Sequence, residues 1–197
     1  MIFEALELLR AELSVYLKEL CNDGTVNVRL GNVSSGMEEE LLLSLVNVEE
    51  ETTLRNTSAY QRNPAGGFDI VNPPVFLNLF VLVAAYSSKT GSSYDTALRR
   101  LSWVVQCFQR KPTFTAANTP AADTFSTDIS SLRISLDLYS LSFEKASQLW
   151  STLGDQQVPC VLYKVRLVEE RAEGQVSYGP PILSIRQLPH VDSPSSN

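Results

Sequence analysis

The chain predicts an α+β fold, a single mixed, mostly antiparallel sheet packed by three helices. Two observations carry this. Segments whose apolar residues recur at three and four alternate along the chain with shorter apolar runs of period two. Near the middle, the run Val75–Tyr86 is apolar on both faces of a strand, and the amphipathic segment Tyr94–Lys111 follows it.

Ile2–Cys21 reads as the first helix, because Ile2, Leu6, Leu9, Leu13, Tyr16, Leu17 and Leu20 form one stripe while Glu4, Glu7, Arg10 and Lys18 lie off it. Asn22-Asp23-Gly24 stops it with residues that tolerate left-handed backbone. Val26, Val28 and Leu30 alternate with polar residues, predicting a short half-buried strand. A turn over 31–36 leads to a second strand, Leu41–Val48, which must leave the core at Glu49-Glu50-Glu51. Arg55–Asn72 is rich in Asn, Thr, Gly and Pro and reads as one long loop, a length usually tied to function or disorder. Pro73-Pro74 lack an N–H and so precede the paired part of the strand they launch.

Ser92 with Asp95 makes a weak capping box for the second helix, whose expected inner face is Tyr94, Ala97, Leu98, Leu101, Val104, Val105 and Phe108. Lys111-Pro112 ends it. Thr113–Ser130 is low in complexity and reads as an exposed loop, with room for a short strand at Phe114. Leu132, Ile134, Leu136 and Leu138 alternate with Arg133, Ser135 and Asp137, a strand with one wet face. Ser142 caps a third helix with Phe143, Ala146, Leu149, Trp150 and Leu153 inward and Gly154 as its stop. Cys160–Glu170 is the last clear strand. The chain then divides into residues 1–172, the α+β body, and 173–197, a partly docked tail with a Ser/Pro-rich end.

A chain of 197 residues can bury a core without disulfides or metals. Its 44% apolar content excludes disorder for the body. Sixteen basic against 22 acidic residues give a net charge of −6 with no basic cluster, which argues against a nucleic-acid partner. The three cysteines are far apart and lie in or beside apolar segments, as buried reduced thiols do. Met1 leads straight into an acidic amphipathic segment, unlike a secretory leader. The longest apolar run is shorter than the ~20 residues a membrane helix needs, so no direct membrane insertion is expected.

Chemistry finds little to stand on. The single histidine, His190, lies in a Pro/Ser-rich tail without support for a general base. Glu38–Glu40 and Glu49–Glu51 are runs whose neighbours would point to opposite faces of a strand, so they cannot converge on a metal. Gly66-Gly67 lacks the spacing of a phosphate cradle. The apolar surplus is more informative. Both faces of Val75–Ala84 need cover, either within the monomer or from another subunit. Tyr60, Arg62 and Phe68 in the long loop, and Tyr178, Ile182 and Ile185 in the tail, are the candidate interface residues. A plain surface loop, and a tail folded back on its own sheet, are the alternatives.

Several segments, in order, resemble one family. They are the opening helix Ile2–Leu20, the strand Pro73-Pro74-Val75-Phe76-Leu77-Asn78-Leu79, and the helix with Ala97-Leu98-Arg99-Arg100-Leu101-Ser102 ending at Phe108-Gln109. Tyr86, Tyr94, Leu149-Trp150-Ser151-Thr152-Leu153-Gly154 and Pro159-Cys160-Val161-Leu162-Tyr163-Lys164-Val165-Arg166 complete the match. They resemble the N-terminal domain of the tail-terminator, or cap, protein of extracellular contractile injection systems, the antifeeding-prophage-like particles. The resemblance implies a phage tail-terminator-like fold and a structural, non-enzymatic subunit with no cofactor and no metal.

It further implies a homohexameric ring on the distal end of inner tube and sheath, stopping polymerisation and stabilising the sheath, with a second cap protein as a possible companion. Docking by strand addition to an open sheet edge fits such a role. The subunit would assemble in the cytoplasm and end in a particle that is released or tethered to a membrane. Longer members carry an added C-terminal segment, and no role tied to it is carried over. A tail-completion or connector protein of a related particle is an alternative, as is a small hydrolase or ligand-binding domain, which would require a deep pocket.

Overall fold

The apolar run at the centre of the sequence forms the strand on which the sheet is built. The computed structural model describes residues 1–21, 26–33, 40–51, 60–62, 68–71, 75–86, 94–119, 132–153, 157–169 and 175–179. In chain order the elements are α1 (Ile2–Cys21), β1 (Asn27–Leu30), β2 (Glu40–Glu50), β3 (Tyr60–Arg62), β4 (Phe68–Val71), β5 (Val75–Ala85), α2 (Tyr94–Arg110), β6 (Thr113–Thr115), β7 (Leu132–Leu138), α3 (Phe143–Leu153), β8 (Cys160–Glu169) and β9 (Gln175–Gly179). The expectations at Asn22-Asp23-Gly24, at turn residues 34–36, and at Glu38-Glu39, Gly66-Gly67, Pro73-Pro74, Ser92, Gly154, Ile182, Ile185 and His190 lie outside the described residues.

By internal contacts the chain forms two compact units, Met1–Asn56 with Pro74–Ala172, and Thr57–Pro73 with Glu173–Asn197. The first holds a six-stranded sheet in the order β1-β2-β5-β8-β7-β6. Every pairing in it is antiparallel except β1 with β2. This is the mixed, mostly antiparallel sheet with three helices that the sequence predicts. The second unit holds a separate three-stranded sheet, β3-β4-β9. It corrects the reading of Arg55–Asn72 as loop throughout: β3 and β4 pair with each other, and β9 joins β4 from the tail. Strands of three and four residues set among Asn, Gly and Pro show no usable periodicity. The pairing of β4 with β9 is long-range, so nothing local announces it.

β5 pairs with β2 on one side and β8 on the other along almost its whole length. Its odd-numbered residues Leu79, Val81, Val83 and Ala85 join the larger core with Leu41, Leu43, Tyr163, Val165 and Leu167. On that face α1 contributes Ala5, Leu8, Leu9, Leu13 and Leu17, and α2 contributes Ala97, Leu101, Val104, Cys107 and Phe108. The even-numbered Leu82 and Ala84 join Leu42, Leu162, Val33 and Tyr86 on the opposite face, under Trp150 of α3. The two-sided cover that the sequence demands is thus met within the chain for this half of β5.

Helix faces and strand ends differ in part from expectation. The buried face of α2 is Ala97, Arg100, Leu101, Val104, Cys107 and Phe108. These positions follow one 3.6-residue stripe and carry Arg100 inward, while Tyr94 and Leu98 are 60% and 42% exposed. On α3, Trp150 is buried but Phe143, at the first helical position, is 98% exposed. Leu138, the last residue of β7, is likewise 58% exposed although its alternation predicts a core position. The segment after α2 does hold a short strand, β6, and its Phe114 is fully buried. Ser142 does precede α3, and its hydroxyl accepts from the Lys145 N–H at 3.4 Å.

Side-chain contacts lock the helices to the sheet. Phe108 meets Phe114 of β6 and Tyr163 of β8 edge-on, with centroids 6.2 and 5.1 Å apart. The Lys111 ammonium lies 4.8 Å from the Phe114 ring centroid, pairs with Glu12 of α1 and donates to the Asn118 carbonyl at 2.7 Å. Trp150→Ala is expected to lower stability by about 3–5 kcal/mol, because the indole is the main cover over Leu42, Leu82 and Leu162. Urea denaturation measures this; a loss below ~1 kcal/mol would show that α3 adds little to the core.

Candidate assembly surface

A bulge in β2 decides what the open half of the sheet presents. Leu45 lies opposite Val81, yet Asn47 lies opposite Phe80, so Val46 is an extra residue. Before it, odd-numbered residues of β2 share the face of α1 and α2. After it the parity reverses, and Asn47, Glu49 and Glu51 come to the α3 side. There the Asn78 amide Nδ2 donates to Glu51 Oε2 at 2.9 Å, and Lys164 Nζ lies 3.8 Å from the same oxygen.

Asn78 is only 4% exposed, and its Oδ1 accepts no hydrogen bond. A buried amide oxygen without a donor is costly. Next to this group, Arg166 donates to Asp137 Oδ2 at 2.6 Å across β8 and β7, a pair more than half exposed and therefore of small energetic weight. An open cleft of about 230 Å³ lies here, with Glu51, Asn78, Arg133 and Arg166 around Phe76 and Val168. Neither a thiol nor an imidazole lines it.

The thiols that are described lie elsewhere. Burial, with a contribution from Glu12, pushes Cys107 from 9.0 up to about 12. Burial also raises the Cys160 thiol, and it pushes the Tyr163 phenol up to about 12. A protonated thiol is a poor nucleophile. Among the described residues no group of His, Cys, Asp and Glu could hold a metal ion. Also among them, no helix is long and apolar enough to cross a membrane.

Of the sequence-predicted interface residues, Tyr60 and Arg62 fall on β3, Phe68 on β4 and Tyr178 on β9. The register sets Tyr60 opposite Ile70, Arg62 opposite Phe68, and Asp69 opposite Tyr178. Tyr60, Arg62 and Phe68 thus hold in-phase positions of the small sheet, and Tyr178 stands one position out of phase with them. Loop and tail, read as separate features, supply strands of one sheet. Sequence reading misses the Asn78–Glu51–Lys164 group. Its one signal is Asn78 interrupting the apolar run.

The sequence matches the family model described as the Pvc16 N-terminal domain over residues 4–184. The chain belongs to this family. Two solved structures share the fold of this Pvc16 N-terminal domain. One is the sheath/tube terminator of the extracellular contractile injection system PVC in its extended state, with a TM-score of 0.63 at 15% identity, covering 100% of this chain and 65% of that one. The other is the anti-feeding prophage cap, a tube terminating cap, with a TM-score of 0.67 at 13% identity, covering 95% of this chain and 61% of that one. This Pvc16 domain therefore spans under two-thirds of those chains. No curated protein matches the sequence.

Two expected outcomes come from the side-chain geometry. Asn78→Leu should raise stability by about 1 kcal/mol in urea, since it removes a buried amide oxygen without a donor while Glu51 keeps Lys164. A loss above ~2 kcal/mol would show that the amide is a net structural support. For Cys107 the folded value lies above the unfolded one near 9.0, so the unfolded state ionises first. Its contribution is complete below pH 9.0 and is lost as pH rises toward about 12. Accordingly, Cys107 in the folded chain should resist iodoacetamide at about pH 8, read by peptide mass spectrometry, and fast labelling would contradict its burial.

Proposed function

We propose that this chain is a cap subunit of a contractile injection system, a tail terminator that forms a hexameric ring on the distal end of inner tube and sheath. The observation that carries this reading is family membership over residues 4–184, joined to a fold shared with two terminator and cap structures. The role is structural. The sheet, the helices and the buried Cys107 thiol form a packed scaffold.

The mechanism is steric. A six-membered ring matches a six-fold layer of tube and sheath beneath it and offers no equivalent surface for the next layer, so polymerisation stops. Contacts between ring and sheath then stabilise the sheath end. Among the described residues, β1 pairs only with Glu40–Leu43 of β2, and the outer edge beyond Leu43 carries no strand. That edge supports docking by an extended sheath segment, whose backbone groups would pair with it.

Tyr60, Arg62 and Phe68 are the proposed contacts from the small sheet. The test is capping of isolated tube and sheath ends by purified protein, scored by electron microscopy. Tyr60→Ala with Phe68→Ala should reduce end occupancy by about tenfold, the effect of losing aromatic anchors, with the unfolding midpoint unchanged. Full occupancy in the double variant would remove these residues from the interface. Failure of the wild-type chain to bind any end would defeat the cap reading itself.

A further inference from the structure

We draw no further inference here: the strongest candidate, the open cleft on the six-stranded sheet around Asn78, Glu51 and Arg166, carries nothing, because the unpartnered Asn78 Oδ1 is closed to solvent, Glu51 and Arg166 are already engaged by Lys164 and Asp137, and nothing in the structure shows what would fill it.

Discussion

The rest of the first unit depends on one requirement, that β5 be paired on both edges and covered on both faces. β2 and β8 supply the pairing along nearly all of its length. α1 and α2 cover one face, and α3 covers half of the other through Trp150. A strand so enclosed reads as an almost unbroken apolar run, and only buried strands tolerate that composition. The break in the run is equally physical. Where α3 no longer reaches, position 78 is Asn rather than an aliphatic residue, and the bulge at Val46 turns Glu51 toward it. Cover and polarity change at the same place along the strand.

This arrangement separates folding from assembly. The core of the first unit is closed by the chain's own helices, and its aromatic contacts around Phe108 and Tyr163 tie three elements together. The surfaces proposed above for other molecules are the outer edge of β2 beyond Leu43 and the small sheet of β3, β4 and β9. Under the cap reading proposed above, the subunit would reach the growing particle already folded. Its specificity would lie in surfaces that can vary without disturbing β5.

Much of the large unit is legible in the sequence because its elements are long. The stripe of Leu9, Leu13 and Leu17, the run through β5 and the alternation of Ile134 and Leu136 each follow a period that burial enforces. Phase is harder to read than period. Tyr94 and Leu98 lie off the inner stripe of α2, while Arg100 lies on it and is buried. A charged head argues against such a position in the sequence, because a buried charge must find a partner, and Arg100 does interact in the fold. Leu138 and Phe143 depart for another reason: they stand at element ends, where the pattern continues but the cover does not. The small sheet stays hidden because β3 and β9 are short and β9 finds its partner only through long-range pairing. The bulge leaves no trace in composition, so the Glu51–Asn78 contact is beyond reach even though Asn78 itself stands out. Tyr60, Arg62, Phe68 and Tyr178 stand out in the sequence by loop and tail position, and only the structure sets them in one sheet.

The most direct test is hydrogen exchange on the isolated chain and on the same chain bound to tube ends. A core closed within one chain predicts strong protection of Leu79–Ala85 in both states, with binding adding protection only outside that strand. Rapid exchange of Leu79–Ala85 in the isolated chain, suppressed only on binding, would contradict it and show that a neighbouring subunit completes the central strand.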